Sequence, residues 1–158
     1  MELAQDFTRS QGLPRDVLQD RLSKKKLAIQ DVVGDGACQF RAASAVLHGT
    51  QEEHNVVRAK AVAELIKHPT RYCKFVEGDY NAFCRRAALP SEWGDNITLQ
   101  AIANAYEVTF VVTTENFEVD HDIVVSPTFP IESKGVLNLG FYAEQHYVST
   151  KSLYDSIH

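Results

Sequence analysis

Apolar residues recur at helical spacing over the earlier part of the chain and alternate with polar ones over the later part. Behind Pro14, a residue suited to a first helical turn, Val17, Leu18, Leu22 and Leu27 make a spaced stripe, so residues 1–30 read as a helical lead-in. Asp31-Val-Val33 reads as a short strand or extended approach to a pair of glycines. Residues 38–47, alanine-rich and free of Gly and Pro, predict a helix that stops at His48-Gly49. Thr50-Gln-Glu-Glu53 is a capping-box pattern ahead of a helix carrying Val56, Val57, Ala59, Ala63 and Ile66, which Pro69 ends. Thr70 to Glu77 reads as a further short helix, and Gly78-Asp79 starts another with Tyr80, Phe83 and Cys84. Asp95 and Asn96 cap a last helix, on which Leu99, Ile102 and Ala103 share a face. From Val108 the texture changes to β-branched, alternating runs: Val108–Thr113, Ile123–Val125, Val136–Leu139 and His146–Ser149. Helices first and strands last predict an α+β domain with helices on a largely antiparallel sheet. With no repeat or linker in view, one domain is expected, with the lead-in at 1–30 and the main part at 31–158.

Composition narrows the function. The 158 residues suit one domain, and 44% hydrophobic with 23% charged residues is ordinary globular content. A net charge of −5 argues against a nucleic-acid footprint, and the run Lys24-Lys-Lys26 reads as a solvated helix end. The first residues have no basic n-region or apolar h-region, and no apolar run reaches a membrane span, so no cleaved signal, no membrane partner and a cytoplasmic or nuclear location are expected. Three cysteines without a C-x-x-C pair fit a reduced compartment. Cys73 and Cys84 read as buried structural thiols. With His68 they match no common zinc spacing, so neither metal nor cofactor is expected.

The third cysteine is different. In Val33-Gly-Asp-Gly-Ala-Cys38-Gln-Phe-Arg41, glycines flank an acid and deliver Cys38 into a first helical turn, where unpaired N–H groups favour an anion. The helix dipole contributes about 0.3–1 kcal/mol, at most ~2, so it lowers a thiol pKa by roughly one unit. A catalytic thiolate needs a cationic partner as well, normally an imidazolium. Of six histidines, His48 and His68 sit at helix ends, His54 at a helix start, His121 in an acidic loop and His158 at the terminus. His146 opens a strand directly after the turn Ala143-Glu-Gln145, an edge where side chains of function are held. A dinucleotide fingerprint would need a third glycine where Gln39 stands and a βαβ continuation that is missing.

Three blocks, Gly34–Arg41, Trp93-Gly-Asp-Asn-Ile-Thr-Leu-Gln-Ala101 and Ala143-Glu-Gln-His-Tyr147, resemble in order and spacing the signature of the ovarian-tumour (OTU) cysteine proteases, the plant-type members above all. The resemblance implies a papain-like OTU fold, with a mainly antiparallel sheet between helices. It implies a deubiquitinase that cleaves isopeptide and peptide bonds at the C-terminal glycine of ubiquitin. Cys38 would be the nucleophile, His146 its proton partner and Asp35 the acid supporting His146. Backbone N–H groups of Gly36, Ala37 and Cys38 would form the oxyanion hole. Trp93, Gly94 and Tyr147 would line the groove for the ubiquitin tail. On residue type alone, Trp93 reads as a core anchor beside Tyr106 and Phe110, Tyr147 as packing, and Arg41 as the partner of a surface carboxylate. The implied partners are ubiquitin, polyubiquitin and ubiquitinated proteins, met by a monomer. One position departs from the pattern: Val148, two residues after the histidine, stands where many members carry Asn or Asp. Asp35 or an unidentified group must then orient the ring. A ubiquitin-binding module without activity and a protease for a ubiquitin-like modifier remain alternatives.

Overall fold

The computed structural model describes residues 13–116 and 121–154. Helices α1 (Pro14–Ser23), α2 (Cys38–His48), α3 (His54–Lys67), α4 (Tyr80–Ala87) and α5 (Asn96–Tyr106) accompany strands β1 (Leu27–Gln30), β2 (Thr109–Thr114), β3 (Ile123–Val125), β4 (Val136–Tyr142) and β5 (His146–Ser152). The strands form one sheet in the order β1-β5-β4-β2-β3. All neighbours are antiparallel except β2 and β4, which run parallel from Thr109↔Val136 to Thr114↔Phe141.

Local sequence accounts for the helix ends. Gly49 closes α2 at φ 79°, a left-handed backbone that glycine adopts without cost. The Asp79 side chain accepts the N–H groups of Asn81 and Ala82 at the start of α4, and Asp95 forms a reciprocal capping box with Thr98 on α5. Two expectations change. Residues 69–71 and 73–75 form separate 3-10 turns rather than one helix. The strand before the glycines is Leu27–Gln30, with residues 31–34 irregular, because Leu27 to Gln30 pair with Ser152 to Ser149 of β5. The lead-in therefore contributes a sheet strand as well as a helix.

The sheet lies between two apolar layers. On one face, Phe40, Ala43, Val57, Leu65, Ile102, Phe110 and Leu139 form the main core under α2, α3 and α5. On the other face α1 lays Leu18 and Leu22 over Ile29 and Val148, a small second core. Gly140 makes room for it: a Cβ there would stand 2.8 Å from Val148 Cγ2 and 2.9 Å from Leu18 Cδ2. Burying such side chains is worth about 1.5–3 kcal/mol each. Val148 is 0% exposed. An asparagine there would bury an amide among hydrocarbon, at a cost of about 1–3 kcal/mol. The departure at Val148 thus follows from the helix that covers it.

Candidate active site

The turn between β1 and α2 holds itself together through Asp35. Its N–H donates to Val33 O at 3.1 Å, and its own carbonyl accepts the Cys38 N–H at 3.1 Å. Ala37 N–H donates to Asp35 Oδ1 at 3.0 Å. Arg41, one turn along α2, donates from Nε and Nη2 to the two carboxylate oxygens at 3.2 and 3.1 Å. That guanidinium, aided by the Ala37 N–H, holds the Asp35 carboxyl below the usual range although burial opposes it. The Arg41 expectation stands; the Asp35 carboxylate, expected to support His146, bonds to its own turn here, and no hydrogen bond joins it to His146 among the described residues. The oxyanion expectation changes too. In this conformation the Ala37 and Cys38 N–H groups are taken up within the turn. Among the described residues only the Gly36 N–H of that trio has no acceptor.

Gly36 is glycine for want of room: a Cβ would stand 2.2 Å from the Ser91 carbonyl oxygen and 2.9 Å from its carbon. The wall it would strike is rigid. Arg58, buried on α3 with its guanidinium 4.0 Å over the Phe40 ring, donates to the carbonyls of Ala87, Pro90 and Glu92 at 2.9, 3.1 and 2.9 Å. A second brace runs through Gln39, whose Nε2 donates to Asp95 O at 2.9 Å and whose Oε1 accepts Thr98 Oγ1–H at 2.6 Å. Gly94 packs on that amide, since a Cβ there would lie 2.2 Å from Gln39 Oε1. The glycine-turn and Trp-Gly blocks are therefore joined by hydrogen bonds. The structural roles of Gln39 and Arg58 were not read from the sequence; the place of Gln39 directly after Cys38 in the first turn of α2 was the one available signal.

Cys38 is 1% exposed, at the start of α2, and its thiol donates to the Gln145 carbonyl at 3.7 Å. Burial pushes the thiol up. The N–H groups of Tyr147, Gln39 and Cys38 itself oppose that, and the Asp35 charge adds to it. The expectation of a helix-start thiolate is thus corrected: burial outweighs the N–H donors, and the resting thiol keeps its proton. Alkylation of the Cys38 peptide by iodoacetamide, followed by mass spectrometry, should therefore rise only above the ordinary thiol midpoint of about 8.5. A plateau reached by pH 6 would contradict a protonated resting thiol.

His146 opens β5 opposite Tyr142 of β4, with ring centroids 5.2 Å apart and planes at 84°. The turn lies along its other side, where a Cβ on Gly34 would stand 3.6 Å from His146 Cε1. Burial lowers the imidazole pKa, the nearby Asp31 charge raises it, and Arg15 lowers it again, so the ring is neutral at pH 7. Among the described residues His146 has no hydrogen-bond partner, and none joins it to Cys38. Thiol and imidazole are brought to the same strand start as a neutral, unlinked pair.

The remaining expected residues divide. Trp93 is 51% exposed, so it does not anchor the core beside Tyr106 and the buried Phe110; it borders a small cleft with Phe83, Arg86 and Glu92. Tyr147 packs as expected, its ring 4.6 Å from Phe141 against the main core, and burial pushes its phenol up. Cys84 is buried, but Cys73 is exposed on its 3-10 turn, against the expectation for it.

This fold and site define a class: α+β proteins of papain-like architecture, with a helix-start cysteine beside a strand-opening histidine. The chain belongs to the OTU-like cysteine protease family, whose model matches residues 33–158. It is 42% identical over 130 residues to ovarian tumor domain-containing deubiquitinating enzyme 10 of Arabidopsis thaliana, an alignment covering 82% of this chain and 36% of that protein. It is 37% identical over 138 residues to enzyme 12 of the same series and organism, covering 87% of this chain and 61% of the relative. The chain thus spans less than two thirds of each relative, 36% of the one and 61% of the other. Among solved structures, the OTUD1 OTU domain superposes with a TM-score of 0.76 at 21% identity, over 87% of this chain and 93% of that one. An ovarian tumor domain in complex with ubiquitin matches with a TM-score of 0.66 at 16% identity, over 79% and 69%. Among the described residues, no helix is long and apolar enough to cross a membrane.

Proposed function

We propose that this chain is a cysteine-type deubiquitinase that hydrolyses isopeptide and peptide bonds at the C-terminal glycine of ubiquitin. The observation that carries the reading is the meeting of Cys38 and the His146 strand start, far apart in sequence, at the head of α2. Relatives named as deubiquitinating enzymes and a related fold solved with ubiquitin supply the substrate class. Substrate binding draws the thiol from the Gln145 carbonyl toward the imidazole. His146 accepts the Sγ proton, the thiolate attacks the glycine carbonyl, and His146 then protonates the leaving lysine amine. Water releases the acyl group from Cys38. The Gly36 N–H receives the developing oxyanion first, with the Ala37 and Cys38 N–H groups freed as the turn adjusts. Trp93, exposed beside the braced Gly94, flanks the ubiquitin tail. Three free cysteines suit a reducing compartment, cytoplasm or nucleus. We assign the lead-in at 14–30 to the same domain, since β1 completes the sheet.

A ubiquitin derivative with a C-terminal electrophile tests the reading, beside cleavage of each di-ubiquitin linkage. A covalent adduct absent from Cys38→Ala, with cleavage of at least one linkage, is the expected result. Measurable ubiquitin binding without adduct or cleavage would instead establish a binding module, which the protonated resting thiol and Val148 favour as second reading. Reaction with a ubiquitin-like modifier alone would change the substrate and keep the chemistry.

A further inference from the structure

We infer that Asp31, clamped by Arg15 where β1 runs toward the His146 end of β5, is the positioning residue for His146. The inference rests on the reading of Cys38 and His146 above. Both carboxylate or amide positions suggested by the family pattern are unable to do the work. Asp35 is spent on Ala37 N–H and Arg41, and Val148 lies under α1 among Leu18, Leu22 and Ile29. What surrounds the imidazole instead comes from the lead-in and β4. Asp31 follows the last residue of β1 and precedes by three residues the glycine that lies along the ring. Arg15 of α1 grips its carboxylate with both terminal nitrogens, Nη2 donating to Oδ2 at 2.8 Å and Nη1 to Oδ1. The antiparallel β1–β5 ladder, ending at Gln30↔Ser149, carries the chain at Asp31 toward the His146 end of β5, and the Tyr142 ring stands edge-on to His146 at 5.2 Å.

The arrangement has two effects. Tyr142 limits rotation of the ring, which has no hydrogen bond of its own among the described residues. Asp31 supplies a carboxylate charge that favours the imidazolium when Cys38 passes its proton to the ring. The charged groups bearing on that ring are Asp31, which favours the imidazolium, and Arg15, which opposes it with the smaller influence. Asp31 thus acts through space, without touching the reacting atoms. Its side chain is 60% exposed, so the effect is screened. A buried orienting aspartate can be worth ~10⁴-fold in kcat; here about tenfold is expected.

The test compares Asp31→Asn, Asp31→Glu and Asp35→Asn with the parent chain. The readouts are kcat and KM on a fluorogenic ubiquitin C-terminal amide, the melting temperature, and the NMR titration of the His146 ring. Asp31→Asn should lower kcat about tenfold with KM little changed, and move both the His146 titration and the acid limb of the pH–rate profile to lower pH. Asp31→Glu should restore part of each. Asp35→Asn should weaken the turn, lowering the melting temperature, while leaving the His146 titration in place. A titration unmoved by Asp31→Asn in an active enzyme overturns the inference, as does one moved by Asp35→Asn alone. A parent chain that neither cleaves the substrate nor takes the ubiquitin probe counts against the proposed function. The His146 titration of Asp31→Asn then still decides the electrostatic link by itself.

Discussion

Replacing His146 by alanine is expected to lower turnover of a ubiquitin C-terminal amide on the order of 10⁴-fold. Among the described residues, His146 is the imidazole on the strand start that meets Cys38. His54, also near the glycine turn, stands among the charges of Arg41, Asp35 and Arg58. Alkylation of Cys38 in the free protein should meanwhile change little. Its resting thiol is protonated and bonded to the Gln145 carbonyl rather than paired with the imidazole. An intact melting curve with turnover lost and alkylation kept would separate proton transfer from folding. A variant that keeps more than about a tenth of the parent rate would remove His146 from its role as base.

The second large effect is expected from Gly36→Ala. The added methyl would stand 2.2 Å from the Ser91 carbonyl oxygen, and neither partner is a flexible side-chain tip. The Ser91 segment is pinned by Arg58 through three carbonyls, and the Gly36 segment is pinned by Asp35. The glycine turn must therefore move, and with it the N–H groups assigned to the oxyanion. Overpacking of this kind costs about 1–3 kcal/mol of stability. A displacement near 1 Å costs about 10²-fold in rate. Thermal unfolding and steady-state kinetics on the same preparation check both figures. Parent-like turnover would mean that the turn does not carry the oxyanion donors. Relaxing the wall with Arg58→Lys, which cannot span three carbonyls from one planar group, should lower the melting temperature too.

Much of the fold was legible because its signals are local. Gly49, Asp79 and Asp95 announce helix ends through their own backbone and side-chain chemistry, and β3 appears at the residues its β-branched run suggests. The edge strand was misplaced for a non-local reason. Asp31-Val-Val33 has the better β composition, but the pairing available along β5 falls on Leu27–Gln30. Trp93 shows the same limit: its size suits a core, yet the loop that carries it turns the ring half into solvent.

The sequence alone determined that a cysteine would open a helix behind a glycine turn, that a histidine would open a late strand, and that these blocks would follow in the family order. Those features depend on residue type and spacing. Only the tertiary structure decided that burial opposes ionisation of the thiol, that Asp35 closes its own turn, and that Arg15 clamps Asp31. Desolvation and through-space charge depend on which atoms the fold packs around a group. Two aspartates four residues apart, Asp31 and Asp35, are told apart only when Arg15 claims one and Arg41 the other.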